Sequence, residues 1–189
     1  YEADDLIGTL AQRFRSRQNR VVVVSRDKDL TQLLGQQDLL WDFADDRLIG
    51  HDDVKTHFGV APYQIADYLA LAGDAVDNIP GVPGIGCKTA QVLLSHFDSL
   101  DGVYDNLSAV SQLAIRGARR THQLLDEHRE LAFLSRQLTT IKCDIPLRIK
   151  QADLRWQPQK KPIESWFRRK GVGERLAQRF AGIIDTVNE

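Results

Sequence analysis

Cysteine is scarce in this chain of 189 residues: Cys87 and Cys143 give one bridge at most, and neither belongs to a CxxC or Cys/His pattern. A disulfide framework and a zinc site are therefore not indicated, and the usage suits a reducing cytoplasm. Long hydrophobic runs are absent too. No apolar stretch approaches membrane-spanning length, and the opening Tyr1-Glu-Ala-Asp-Asp is no signal peptide, so a soluble monomer is expected. The five histidines, His51, His57, His96, His122 and His128, show no ligand spacing, and none adjoins Ser25 or Cys87. Covalent catalysis by an activated side chain is thus disfavoured, leaving Ser25 as a helix cap and Cys87 as helix packing. Repeats and low-complexity tracts are missing as well.

What is present is ordinary for a globular protein: 42% apolar and 27% charged residues, with length for one good core and a small appendage. The net charge of −1 gives no overall attraction for nucleic acid, but the charges are segregated. Between Lys160 and Arg179 the basic residues Lys160, Lys161, Arg168, Arg169, Lys170, Arg175 and Arg179 face only Glu164 and Glu174, with Trp166 and Phe167 among them. Acidic residues gather instead at 2–5, 27–29, 42–53 and 74–77. An acidic metal pocket beside a basic track for phosphates fits this pattern.

Periodicity gives an α/β beginning and a helical continuation. Leu6, Ile7, Leu10, Ala11 and Phe14 recur at helical spacing over residues 2–16, and Val21–Val24 is a β-branched run suited to a buried parallel strand. Helical spacing returns over Lys28–Leu34. Short strands are expected at Leu39–Phe43 and Leu48–Ile49, and helices at His51–Phe58 and Pro62–Ala72, with Pro62 in a tolerated first turn. Further helices are expected near 99–106, 108–117 and 120–136, a strand-like piece at Leu138–Cys143, and a helical tail over about 162–185.

The strongest signal is LAGDAVDNIPGVPGIGCKTA, Leu71–Ala90. Gly81, Gly84 and Gly86 permit sharp turns and close approach of a ligand, while Pro80 and Pro83 stiffen the loop. The following segment, with Lys88 and Thr89, has helical character, so its leading amides suit a phosphate oxygen. Ahead of the loop stand Asp74 and Asp77; Asp27 and Asp29 follow the valine strand, where open α/β sheets place ligands; Glu2, Asp4 and Asp5 open the first helix. Each group alone also reads as a dipole-satisfying first turn, a cap or an Asx-turn. Together the seven carboxylates lack any histidine or cysteine companion, which selects hard cations such as Mg2+ or Mn2+. They suffice for two ions about 4 Å apart, one acidifying a water and the other stabilising the leaving oxygen in phosphodiester hydrolysis.

EADD at Glu2–Asp5, SRDKDLTQLL at Ser25–Leu34 and FGVAPYQIADYLALAGDAVDNIPGVPGIGCKTA at Phe58–Ala90 resemble the 5′-3′ exonuclease and flap endonuclease family. That family includes the N-terminal nuclease domain of bacterial DNA polymerase I and stand-alone exonuclease IX-type proteins. The likeness covers residues 1–143 closely and the tail loosely. It implies a partial parallel sheet with flanking helices over 1–60, the C-terminal part of a PIN-like nuclease core. A helical subdomain over 61–189 follows, with a helix-three-turn-helix DNA clamp at about 62–96. It implies that Glu2, Asp4 and Asp5 serve mainly one metal ion, and Asp27, Asp29, Asp74 and Asp77 mainly the second. It also implies a K+ ion held by main-chain carbonyls of Leu71, Ala72, Pro80, Val82 and Ile85 against a DNA phosphate, with Gly81, Gly84, Gly86, Lys88 and Thr89 as DNA contacts.

The activity implied is hydrolysis of DNA 5′ ends and 5′ flaps. The family further carries an N-terminal portion with another strand, more acids and a helical arch. The chain is accordingly expected to be a part, retaining mainly duplex binding by itself. Two rivals remain: a non-catalytic, structure-specific DNA-binding module, and a PIN-type ribonuclease, which lacks a GVPGIG hairpin. Arg116, Arg119 and Arg120 are candidates to extend the DNA track, and Trp156 and Trp166 to stack on bases.

Overall fold

Glu2 starts the first helix, α1 (Ala3–Phe14), its main-chain N–H donating to the Asp5 carboxylate at 3.0 Å. The computed structural model describes residues 1–155, 165–167, 169–171 and 173–180. Two units divide the chain, Tyr1–Pro146 and Leu147–Glu189. The first holds every element named below. In the second, the described residues include helical turns at 165–167 and 174–180, with the Phe167 ring 5.6 Å from Trp166 and 5.3 Å from Phe180. Trp156, Lys160, Lys161, Glu164 and Arg168 lie outside the described residues, while Arg169, Lys170, Arg175 and Arg179 are exposed.

A three-stranded sheet follows α1. Strand β1 (Val22–Val24) pairs parallel with β2 (Leu39–Asp42), which turns back into antiparallel β3 (Arg47–Gly50). Val23, Leu40 and Ile49 share one face and are buried. The valine run suggests a strand covered on both sides, but only that face is: Val22 and Val24 are 42% and 54% exposed, beside Trp41 and Leu48. β1 is an outer strand here, and no described residue shields its second face. Between β1 and β2, Lys28–Leu33 winds as a tight 3-10 turn instead of an α-helix; Thr31 donates its hydroxyl to the Lys28 carbonyl at 2.6 Å.

Helix α2 (His51–Phe58) ends at Gly59, and a short turn at Pro62–Gln64 leads into α3 (Ile65–Ala72), whose Ile65, Leu69 and Leu71 are buried. After the Asp74–Gly86 loop come α4 (Cys87–Phe97), α5 (Leu100–Asp105), α6 (Leu107–Val110), α7 (Ala118–Glu127) and α8 (Arg129–Thr139). One core runs from Val23, Leu30 and Leu40 through Leu71, Val82 and Leu93 to Leu125 and Ala132. Three expectations need correction. The helix expected at 108–117 stops after Val110, its only buried residue, because so short a stretch lacks the packing to extend. The helix expected at 120–136 is two, broken at His128 (φ −109°, ψ 25°). The strand expected at Leu138–Cys143 is the end of α8 plus an extended segment, which lies along a helix and so finds no ladder partner. Its backbone is satisfied by side chains: Lys142 N–H donates to Asp5 (2.9 Å), Ile141 N–H to Gln32 (2.9 Å) and Ile145 N–H to Thr9 (3.2 Å).

Candidate metal centre and hairpin

β1 ends at Val24, and the chain turns at Ser25, whose hydroxyl accepts the Asp27 N–H at 3.0 Å. Asp27 then caps the tight turn by accepting the Asp29 N–H at 2.9 Å. Ser25 and Asp27 are therefore both local braces, and the bracing delivers Asp29 inward. Its Oδ1 is buried and has no hydrogen-bond partner among the described residues. Burial, reinforced by the charge of Asp27, raises the Asp29 carboxyl to about 6.

The second arm comes from the far end of α3. Asp74 and Ile79 exchange main-chain hydrogen bonds of 2.9 and 2.8 Å, closing a small loop that carries Asp77. Asp29, Asp74 and Asp77 each place a carboxylate oxygen within 4.8 Å of the others. Asp74 is 6% exposed; burial alone would raise its carboxyl, but the Lys28 ammonium at 2.5 Å and the Val76 amide at 2.9 Å outweigh this and hold it below the usual value. Lys28, to which the sequence assigns no role, is the cation tied to this cluster. Its signal was a lone cation between two acids, but the partner sits 46 residues away.

Glu2, Asp4 and Asp5 complete the picture. Together with Asp27, Asp29 and Asp77 they line a pocket of about 740 Å3, roofed by Gln137–Lys142. Asp4 is raised by burial and then by the charges of Asp27, Glu2, Asp5 and Asp77, which brings the three sequence groups into one electrostatic neighbourhood. Asp5 is held low by the Glu2 and Lys142 amides. The acidic run at 42–53 stays apart: Asp42 faces Arg26 at 3.7 Å, and Asp53 accepts the Gly50 N–H at the start of α2.

In the hairpin, Gly81 (φ +61°) is pressed against the turn after α3, where a Cβ would lie 2.3 Å from the Gly73 nitrogen. Val82 N–H donates to the Leu71 carbonyl and Ile85 N–H to the Val82 carbonyl, both at 2.9 Å. The structure so gathers Leu71, Ala72, Pro80 and Val82 around one crossing, with Ile85 one turn on. Gly86 differs: its φ is −98° and a Cβ there would meet nothing within 4 Å. The α4 backbone at Gly86 is open to an approaching ligand, with Lys88 exposed and Thr89 half-buried beside it. Cys87 is exposed, not packed, because the first position of α4 faces solvent.

Residues 1–59 match the family model for the 5′-3′ exonuclease, N-terminal resolvase-like domain, and residues 60–162 match that for the 5′-3′ exonuclease, C-terminal SAM fold. The chain belongs to the 5′-3′ exonuclease family. Among its 5′-3′ exonuclease relatives, a 5′-3′ exonuclease of Buchnera aphidicola subsp. Acyrthosiphon pisum is 37% identical over 153 residues, covering 81% of this chain and 54% of that protein. The flap endonuclease Xni of Yersinia enterocolitica is 40% identical over 146 residues, covering 77% and 55%. The DNA polymerase I of Pseudomonas aeruginosa is 44% identical over 169 residues, covering 88% and 18%. The chain spans about half the length of the first two relatives. In fold it is similar to the T5 5′-exonuclease with bound zinc, at TM-score 0.61 and 24% identity over 100% of this chain and 60% of that one. A bacteriophage T5 flap endonuclease complex with DNA and metal ions gives TM-score 0.61 at 23% identity, over 98% and 59%.

Proposed function

We propose that the protein to which this chain belongs is a structure-specific 5′-3′ exonuclease and 5′-flap endonuclease, hydrolysing DNA phosphodiesters as a cytoplasmic monomer. The observation that carries this reading is Asp29, which has a buried, unpartnered oxygen and a carboxylate oxygen within 4.8 Å of those of Asp74 and Asp77. An orphaned carboxylate oxygen costs stability unless a cation answers it, so the residues fit a hard divalent ion. Asp27, Asp29, Asp74 and Asp77 would hold one Mg2+ or Mn2+, and Glu2, Asp4 and Asp5 a second. Such ions supply a lowered water pKa and stabilise charge developing around phosphorus. The chain's own contribution is positional. The Lys142 amide aims Asp5, the Asp74–Ile79 pairing aims Asp77, and Lys28 neutralises Asp74 until a stronger cation arrives.

In this reading residues 1–60 are the end of the nuclease core and 61–189 a helical subdomain, its helix-three-turn-helix at about 62–96. Gly81, Gly84, Gly86, Lys88 and Thr89 contact duplex DNA. The carbonyls of Leu71, Ala72, Pro80, Val82 and Ile85 hold K+ against a phosphate. The T5 flap endonuclease of the same fold is in complex with DNA and metal ions, which supports a DNA-binding, metal-dependent reading. The test is cleavage of a labelled 5′-flap duplex by the complete protein with Mg2+, beside Asp74→Asn and Asp77→Asn. Loss of cleavage with duplex binding retained supports the reading. Undiminished cleavage by both variants returns the acids to a purely structural role.

A further inference from the structure

Apart from the acid pocket, a second polar basin of about 600 Å3 lies between the hairpin and α7, and no residue lines both. Gly84 and Thr89 border it on one side, Arg116, Gly117, Arg120 and Thr121 on the other. The two walls are fixed against each other, since a Cβ on Gly84 would come 2.9 Å from Leu124 Cδ1. Two helices begin here, α4 of 11 residues and α7 of 10, and neither has a side-chain cap over its leading amides. Arg116 and Arg120 are exposed and form no ion pair among the described residues. Thr121 is only 7% exposed, yet its hydroxyl has no partner among the described residues and opens on the basin.

That hydroxyl is not sealed from solvent, so it is free to donate to an incoming oxygen without leaving a bond within the protein. The groups around it share one preference. Uncapped helix amides carry positive partial charge, and guanidinium forks match tetrahedral oxyanions in two-point contacts. The carboxylate that lines the basin, Glu127, stands at the far end of α7, seven residues beyond Arg120 and so about 10 Å along the axis at 1.5 Å per residue. At physiological ionic strength that exceeds the screening length of about 8 Å.

We propose that this basin is a second seat for a backbone phosphate of duplex DNA, with Arg116 and Arg120 on its oxygens beside the first-turn amides of α7 and the Thr121 hydroxyl. It rests on the reading of the hairpin as a DNA grip, and it extends that grip without involving potassium or the acid pocket. The experiment is duplex binding by the chain in EDTA, followed by fluorescence anisotropy over a range of NaCl at fixed potassium. Arg116→Ala/Arg120→Ala should lower affinity about tenfold or more and flatten the slope of log affinity against log salt by about 1–2, as loss of up to two phosphate contacts requires. Thr121→Val should lose affinity a few-fold with its melting curve unchanged, and Arg116→Gln/Arg120→Gln guards against a folding artefact. Lys88→Ala serves as the hairpin reference. Wild-type affinity and slope in both arginine pairs, beside weakened binding in Lys88→Ala, would overturn the second seat and leave the hairpin reading standing. Absence of duplex binding by the wild-type chain would overturn both.

Discussion

Replacing Asp29 by asparagine should stabilise the metal-free protein, although it removes a site residue. The side chain is half-buried with one oxygen orphaned, and its carboxyl is raised from 3.8 to about 6 by burial and by Asp27. At 1.36 kcal/mol per pH unit that rise corresponds to about 3 kcal/mol of strain on the charged form. Solvent on the open side of the group screens this to roughly 1–2 kcal/mol. Because the folded state holds this proton more tightly than the unfolded chain, the associated stability is fully present below about pH 4 and is lost as pH rises through about 6. Asparagine mimics the neutral acid at every pH. Urea unfolding in EDTA should therefore show wild type and Asp29→Asn equal near pH 4 and the variant roughly 1–2 kcal/mol more stable at pH 8. Adding Mn2+ at pH 8 should raise the wild type by more than the variant, which keeps Asp74 and Asp77 but offers the ion one full charge fewer. A variant no more stable than wild type at pH 8 in EDTA would refute the argument that burial strains this acid.

Three further outcomes can be checked. Lys28→Met removes the ammonium that occupies Asp74, so Mn2+ titrated calorimetrically should bind more tightly, while the metal-free melt falls; weaker or unchanged binding would show that Lys28 is no competitor. Gly81→Ala puts a methyl group 2.3 Å from the Gly73 nitrogen at positive φ and should cost about 2–4 kcal/mol in denaturant unfolding, whereas Gly86→Ala, with free space around it, should fold normally yet bind duplex DNA several-fold more weakly. Asp5→Ala removes the acceptor of the Lys142 N–H, and native-state hydrogen exchange at that amide should accelerate sharply; unaltered protection would place its partner elsewhere.

The hairpin and the acids were legible in the sequence because their signals are local. Gly81 and Gly84 occupy positive φ next to fixed neighbours, which leaves few conformations for GVPGIG to adopt. α2, α3 and α4 follow from apolar spacing and punctuation. What escaped depends on partners far off in the chain. Residues 140–145 have strand-like composition but meet the side chains of α1, and composition says nothing of a ladder's absence. His128 breaks a helix with neither glycine nor proline, so the break reflects packing of α7 and α8 and has no local cue. A valine run cannot say whether one or both of its faces are covered. Lys28 reads in the sequence only as the start of a stretch of helical spacing, because Asp74 lies beyond any local window.

The tie between Asp5 and the Lys142 amide spans 137 positions, and it bears on synthesis. All seven acids precede residue 78 in the chain, yet the strut that aims the first group cannot form until residues beyond α8 have left the ribosome. Closing so long a loop is slow, and it comes after the local helices have formed. An unfinished chain would therefore carry the carboxylates of 2–5 without the strut that aims them, and that group is set in place only once the segment at 140–142 has joined α1.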